Sequence, residues 1–245
     1  MADHDRTPPA PQGFALADER AHPNAGGPEA WTLALAAPEL AVLVRGAIVP
    51  GPDQVQWWTH VLRPGRGPVV VRDHEVPVPR APGFEVRAEG LWAEMICETP
   101  FEHWSYGLES FGLVLDDPAD DERGERIPVG FDIEWERTGD PLEVPGGYAQ
   151  PGIVHGEVLL AREVLAVDTP AVRLHRWRPA SLAIASVLVT RDGSVAWSDA
   201  PIDDAARPMT TIGMCDVPLD GAHVVALDAR ADDDAMEWRG ECRRR

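Results

Sequence analysis

The sequence predicts an antiparallel all-β protein built from barrels or sandwiches. From Trp31 onward, short apolar or alternating runs recur about every ten residues, and Gly, Pro or Asp closes each run, which is typical of such folds. No stretch keeps a helical period for long, and the best helical candidate, 30–40, contains Pro38. A chain of 245 residues is long enough for one large β domain or two smaller ones.

Alternation and turn residues place the individual strands. The predicted strands lie at 31–36, 41–49, 55–62, 68–74, 84–97, 101–115, 127–136, 147–160, 163–177, 181–190, 194–198, 209–217, 222–229 and 235–239. A stretch rich in Gly and Pro at 137–147 is the best boundary between two units. We therefore expect an N-terminal β-barrel at 30–140 and a C-terminal β-barrel at 141–245. The Pro-rich residues 1–29 have few apolar side chains, which predicts a flexible tail.

Charge and cysteine content narrow the class of partner and compartment. The chain carries 41 acidic and 22 basic residues, a net charge of −19, and contains no lysine, so we expect no nucleic-acid partner. No apolar run approaches the roughly 20 residues that span a bilayer, and the N-terminus lacks the pattern of a signal peptide. Three cysteines without a CxxC pair favour a reducing, cytoplasmic location. Nothing in the sequence indicates an oligomeric state.

The longest run of strand-type residues sets carboxyl groups among large aromatic side chains. Trp92 and Glu94 share one strand face, and Glu102 shares a face with Trp104 and Tyr106, because strand side chains alternate with a period of two. Apolar surroundings raise the pKa of a carboxyl group, and indole faces attract cations. The pattern predicts acid-initiated chemistry on an apolar substrate. The alternative is an amphipathic strand pair with one half-solvated face.

A second set of chemically active side chains lies later in the chain. Arg173, His175 and Trp177 share one strand face, and His155 shares a face with Glu157 on the preceding strand. If these strands pair, Glu157 can meet Arg173 or His175, and such a cluster can orient a proton donor or bind a carbonyl oxygen. The alternative is a salt-bridged outer face.

Motifs for other chemistries are absent from the sequence. There is no GxSxG nucleophile elbow and no phosphate-binding glycine pattern. The eight histidines show neither HxH nor HExxH spacing. We therefore expect no metal and no cofactor.

The order of several segments resembles a known family. The segments AEGLWAEMICETPFEHWSYGLESFGLVLDD, IPVGFDIEWE, YAQPGIVHGEV and RLHRW resemble the lipocalin-like proteins grouped with carotenoid 1,2-hydratase (hydroxyneurosporene synthase) and AttH. The resemblance covers about residues 31–190 and implies two consecutive calycin-type barrels. Similar proteins include fungal enzymes that fold polyenes into decalins by a Diels–Alder reaction. The late motif keeps Arg173, His175 and Trp177 but has Leu174 where the family has Asp.

This resemblance and the residue patterns together lead to one expected function. We expect a cofactor-independent cyclase or hydratase that acts on a small hydrophobic substrate, namely an apolar polyene, isoprenoid or polyketide-like molecule. The alternative is a non-catalytic, lipocalin-like carrier of a lipophilic metabolite. The catalytic candidates are Glu94, Glu102, His155, Arg173 and His175, and the substrate-binding candidates are Trp92, Trp104, Tyr106 and Trp177.

Overall fold

The computed structural model describes residues 9–22, 28–49, 54–78, 84–117, 123–177, 186–198, 209–218 and 223–244. Within these ranges the regular elements are one short 3-10 turn and sixteen strands. The turn is Leu16–Glu19, and the strands are β1 Glu29–Ala37, β2 Leu40–Val49, β3 Gln54–Leu62, β4 Val69–Pro77, β5 Phe84–Ala88, β6 Leu91–Thr99, β7 His103–Leu115, β8 Gly124–Arg137, β9 Leu142–Val144, β10 Gly147–Leu160, β11 Glu163–Trp177, β12 Ser186–Thr190, β13 Val195–Ser198, β14 Thr210–Pro218, β15 His223–Ala231 and β16 Ala235–Arg244. The all-β prediction is confirmed.

The first sheet has eleven strands and closes on itself. Its order is β4-β3-β2-β1-β11-β10-β8-β7-β6-β5, with β9 paired to β10. An additional antiparallel pairing between Val69–Val70 of β4 and Leu113–Val114 of β7 joins β4 to β7, so the strands from β4 round to β7 form a closed circuit. Small closed antiparallel barrels, lipocalins among them, enclose room for their own side chains or for one small ligand.

The sheet continues across the expected boundary at 140–141. Strand β10 pairs with β8, and β11 pairs with β1, so a division at that point would cut both ladders. Strands β10 and β11, which the sequence analysis assigned to the C-terminal barrel, thus belong to the first sheet. The Gly- and Pro-rich stretch is a connection within this sheet and contains the short strand β9. The second sheet has the order β13-β12-β16-β15-β14.

Strand β1 separates two hydrophobic cores because its side chains alternate. Trp31, Leu33 and Leu35 lie in the core inside the barrel, whereas the alternate alanines of β1 face the second sheet. Small side chains at these positions let the second sheet approach closely. Trp238 of β16 is fully buried between the sheets, and its Nε1 donates a hydrogen bond to the Leu35 carbonyl oxygen (3.3 Å). In the described part of the chain, no helix has the length and apolarity that a membrane crossing requires.

Candidate functional site

An N-terminal segment, residues 9–22, packs across one end of the barrel, and we call it the strap. Its 3-10 turn begins after Ala15, whose N–H donates to the side chain of Asp18 (2.7 Å), as in half of a capping box. The ring of Phe14 packs against Phe101 and Tyr148, with centroids 6.0 and 5.5 Å apart. The strap is part of the stretch for which we expect a flexible tail, and its contacts with the barrel oppose the entropy that favours such a tail.

The strap inserts one carboxyl group into the barrel. Glu19 is only 4 % exposed and Arg173 of β11 only 1 %. Nη2 of Arg173 donates to Oε1 of Glu19 (2.6 Å) and to Oε1 of Gln150 (2.9 Å). The Tyr148 hydroxyl also donates to Oε1 of Glu19 (2.9 Å), and Nε1 of Trp104 donates to Oε2 (2.9 Å). The carboxyl group of Glu19 therefore accepts hydrogen bonds from a cation, a phenol and an indole.

Aromatic faces surround the same guanidinium group. The Cζ atom of Arg173 lies 4.5 Å from the ring centroid of Trp104, 5.0 Å from that of Trp135 and 5.4 Å from that of Tyr148, all within cation–π range. Among the residues that the structure describes, Nε and Nη1 of Arg173 and Nε1 of Trp135 have no hydrogen-bond partner although they are buried. We call Arg173 and these three rings the arginine cradle. It holds one carboxyl group and retains unused donors.

A second polar cluster lies beside the cradle. Oε1 of Glu29 is 2.7 Å from Nε2 of His175 and 2.8 Å from Nδ1 of His22, while Oε2 accepts from the His22 backbone N–H (2.7 Å). Nδ1 of His175 donates to the Asp18 carbonyl oxygen (2.8 Å). Burial acts to raise the pKa of Glu29, but the hydrogen bonds from His175 and His22 outweigh burial and hold that pKa below its usual value. Among the described residues, the ligand atoms of His22, Glu29 and His175 lie close enough together to hold a metal ion.

Indole rings position both imidazoles of this cluster. His175 stacks on Trp31, with centroids 4.6 Å apart and planes 21° apart. His22 stacks on Trp177, at 4.2 Å and 17°. The orientation of each imidazole is therefore set by packing as well as by its hydrogen bonds.

Cys97 of β6, which pairs with Trp104 of β7, also reaches the carboxyl group of Glu19. Its Sγ lies 3.8 Å from Oε2 of Glu19. Burial, and to a smaller extent the charge of Glu19, raise the pKa of this thiol to about 12. Burial also raises the pKa of Tyr106, whose ring stacks on Trp104. Neither group is a ready proton donor near neutral pH.

The structure brings several of the sequence-predicted residues together at this end of the barrel. The predicted residues in or beside the arginine cradle are Trp104, Tyr106, Arg173, His175 and Trp177. The odd-numbered face of β11 carries the last three of them, in agreement with the alternation.

Three predicted residues lie elsewhere, on the outside of the barrel. The inward face of β6 carries Ala93 and Met95, so Glu94 and Trp92 point outward. Partial burial and the neighbouring acids Glu85, Asp132 and Glu98 raise the pKa of Glu94. Trp92 Nε1 donates to Oε1 of Glu85 (3.3 Å). His155 is about half exposed beside Asp168 of the adjacent strand (3.6 Å) and not beside Arg173.

Glu102 also lies away from the cradle. It occupies the turn before β7, and its carboxyl group pairs with Arg137 (3.2 Å) at the end of β8. The pairing register between β6 and β7 shifts between Cys97 and Thr99. The strand alternation at Trp104 therefore does not extend back to Glu102, which lies in the turn. The acid predicted at Glu94 or Glu102 is therefore not in the cradle.

Sequence reasoning missed the strap's contribution and part of the cradle. The residues missed are Glu19, His22, Glu29, Trp135, Tyr148 and Gln150. Only the FALADER stretch, which interrupts the Pro- and Gly-rich leader with apolar and acidic residues, marked the strap.

Comparison with known proteins gives a family for this chain. No curated protein matches it. Two solved structures are similar at low identity: CghA with Sch210972 (13 % identity, TM-score 0.35) and CghA (11 %, TM-score 0.33). Each match covers 83 % of this chain and 53 % of the other, so this chain spans about half the length of those proteins. The family model described as "Domain of unknown function (DUF7064)" matches residues 15–243. The chain therefore belongs to the DUF7064 family.

Proposed function

We propose that this protein binds a mainly apolar small molecule that carries a carboxylate or enolate oxygen, and that Arg173 receives this oxygen. The observation that carries the proposal is a buried guanidinium group with two unused donor nitrogens, held among three aromatic faces at the end of a barrel. A buried charge is costly unless its hydrogen bonds are satisfied. An oxyanion that binds through two oxygens would contact Nη2 together with either Nε or Nη1, since a carboxylate matches the geometry of these two edges of the guanidinium.

The strap supports this assignment because it already presents such a group to the barrel. Its Phe14 ring contacts Phe101 and Tyr148, while its Glu19 carboxyl group occupies Nη2 of Arg173. The occupant of the barrel end is thus an apolar group joined to a carboxyl group. An apolar carboxylic acid would bind in the same manner once the strap moves aside.

A second candidate function is turnover of the bound molecule, as a cofactor-independent cyclase or hydratase of a polyene, isoprenoid or polyketide-like substrate. The aromatic faces favour it because they would stabilise positive charge that develops on an apolar chain. Arg173 and the Tyr148 hydroxyl would stabilise an oxyanion at the other end of the molecule. A carrier of a lipophilic metabolite needs the cradle only for recognition, so turnover is what separates the two functions.

Binding is tested with a polyene acid and its neutral ester. All-trans-retinoic acid and its methyl ester have the same apolar chain, and either one, once bound, would quench the fluorescence of nearby tryptophans such as Trp104 and Trp135. We expect the full-length protein to prefer the acid by about tenfold or more, a difference of roughly 1.4 kcal/mol. The Arg173→Met variant should lose this preference. The control Arg137→Met, which removes a partly exposed arginine outside the cradle, should keep it.

The strap variant gives an independent result. Glu19→Ala removes the competing carboxyl group, so it should strengthen binding of the acid more than binding of the ester. Equal binding of acid and ester by the unmodified protein would contradict the proposal, as would a preference that survives in Arg173→Met. If Arg173→Met does not fold, a Glu19→Ala variant that binds the acid no more tightly also contradicts it.

Turnover is tested by mass spectrometry on protein from its own host. The bound molecule is extracted into organic solvent, and candidate precursors are compared before and after incubation with the protein. An isomer, or a gain of one water, indicates a cyclase or hydratase, and an unchanged molecule indicates a carrier. Because Glu94 and Glu102 lie outside the cradle, their double replacement by Gln should leave any turnover unchanged.

A further inference from the structure

We infer that His22, Glu29 and His175 form a binding site for a divalent transition-metal ion of the Zn²⁺ class, which clips the strap to the barrel. This inference does not depend on what the barrel binds. The ligand atoms Nδ1 of His22, Oε1 of Glu29 and Nε2 of His175 all lie within 4.8 Å of one another. Two imidazoles and a carboxylate are a ligand set that zinc sites use, with a fourth position left for water or substrate.

The nitrogens that would not bind the metal also have suitable partners. Nδ1 of His175 lies 2.8 Å from the carbonyl oxygen of Asp18, and because a carbonyl only accepts, this nitrogen carries the hydrogen. Nε2 of His22 lies 3.7 Å from Oδ1 of Asp18, an electrostatic contact that is too long for a hydrogen bond. Metal-bound histidines usually direct their second nitrogen at a carbonyl or carboxylate, which leaves the first nitrogen's lone pair for the metal.

The contacts around Glu29 explain why a cation fits between the three side chains. Both His22 and His175 approach the same oxygen, Oε1, at 2.8 and 2.7 Å. With one hydrogen on Nδ1, His175 can donate to Oε1 only when it carries a second hydrogen, on Nε2. A divalent ion would take the place of that hydrogen and of the hydrogen that His22 Nδ1 donates to the same oxygen. In a tetrahedral zinc site the ligand atoms lie about 3.3 Å apart, so the two distances from Oε1 of Glu29 would each lengthen by roughly half an ångström.

The surroundings hold the three ligands in place without a metal. Trp31 and Trp177 stack on the two imidazoles, and the His22 backbone N–H holds Oε2 of Glu29 (2.7 Å), leaving Oε1 as the single metal-facing oxygen. His175 is fully buried, whereas 24 % of the His22 side chain is exposed, so an ion can enter from the strap side. Along the chain, Glu29 lies 7 residues from His22 and 146 residues from His175, so no short sequence motif contains this site.

The position of the ligands assigns the ion a role. His22 belongs to the strap, whereas Glu29 and His175 belong to β1 and β11 of the barrel wall. An ion bound by all three therefore ties the strap down near the residue, Glu19, that fills the arginine cradle. Removing the ion should loosen the strap, and adding it should slow the strap's opening.

The test uses Zn²⁺ and full-length protein without a polyhistidine tag. All variants carry His4→Gln, so that a chelate formed by the N-terminal residues contributes nothing. After EDTA treatment and dialysis, Zn²⁺ is titrated in competition with a chromophoric chelator. We expect one Zn²⁺ per chain, bound more tightly than about 1 µM. His22→Ala and Glu29→Gln should weaken binding about 100-fold or more, since even outer partners of metal ligands contribute about 10- to 100-fold.

A matched control and a second readout complete the test. His155→Gln removes a half-exposed histidine on β10 and should leave Zn²⁺ binding unchanged. Zn²⁺ should slow hydrogen exchange of the strap amides in the parent protein but not in His22→Ala. This substitution changes a residue of the strap and leaves the barrel wall intact. Absence of stoichiometric binding, or binding that His22→Ala does not weaken, would overturn the inference.

Discussion

Replacing Glu19 with Gln should release the strap from the barrel. In the native structure Oε1 accepts from Arg173 and Tyr148, and Oε2 accepts from Trp104. Whichever way the new side-chain amide is oriented, its NH₂ group meets at least one of these donors. The substitution therefore removes the negative charge beside a buried guanidinium and also places a donor against a donor.

The size of the effect follows from the hydrogen bonds that the Glu19 carboxylate accepts. A hydrogen bond to a charged group contributes about 1.5–3 kcal/mol, and removing one partner of a buried ion pair costs about 3–5 kcal/mol. A loss of about 3 kcal/mol corresponds to roughly 150-fold in an equilibrium constant. The strap can leave the barrel and let water reach Arg173, so the loss should appear as local opening of the strap rather than as global unfolding.

Native-state hydrogen exchange measures this opening directly. The strap amides with a hydrogen-bond acceptor include those of Phe14, Ala15, Asp18, Arg20 and His22. In the presence of EDTA, these amides should exchange about 100-fold faster in Glu19→Gln than in the parent protein. If the parent protein protects them by less than about 100-fold, they should exchange at the rate of a free peptide.

The strand amides should exchange as in the parent protein. Glu39→Gln, at the exposed turn between β1 and β2, removes the same charge and should change nothing. Strap amides that stay as protected as in the parent protein would refute the role of Glu19.

Three further predictions concern the same end of the barrel. The double variant Glu19→Met/Arg173→Met should be at least as stable to urea as either single variant, because apolar side chains can replace a buried ion pair; a double variant less stable than both contradicts this. Cys97, in a chain whose other cysteines are Ser, should react with iodoacetamide extremely slowly at pH 8, since a pKa of about 12 leaves a thiolate fraction on the order of 10⁻⁴. Its rate should rise tenfold per pH unit up to about pH 11, and a plateau near pH 9 would show that burial does not raise its pKa. Gly152→Ala should destabilise the barrel by several kcal/mol, on the order of an overpacked core, because the new Cβ would lie 2.2 Å from Nε1 of Trp135. An unchanged thermal midpoint would show that Trp135 moves aside freely.

The sequence was sufficient to predict most strands because alternation is a local property. The alternation in β11 put Arg173, His175 and Trp177 on one face, and the structure places that face inside the barrel. Alternation defines two faces but does not say which of them is inside, and this explains why Glu94 lies away from the cradle. There, Ala93 and Met95 fill the core, and the Trp and Glu side chains stay outside.

The remaining part of the site depends on contacts between distant residues. Glu19 lies 129 residues from Tyr148 and 154 residues from Arg173 in the chain, and no local pattern encodes such a contact. The boundary at 140–141 was predicted from the Gly and Pro content of a loop. Such a composition indicates that two strands are connected there, but it does not indicate which strands pair across the loop. The pairing of β1 with β11 could be known only from the closed sheet.

The β1–β11 ladder has a consequence for how the protein is made. Because Trp31 pairs with His175, the barrel wall stays open on the ribosome until residue 177 has emerged, whereas the strap is synthesised well before β11. Pairings so distant in sequence form slowly. The strap therefore stays undocked until β11 has been made and has paired with β1. A hydrophobic molecule present in the cell during that interval meets an arginine cradle that Glu19 does not yet fill.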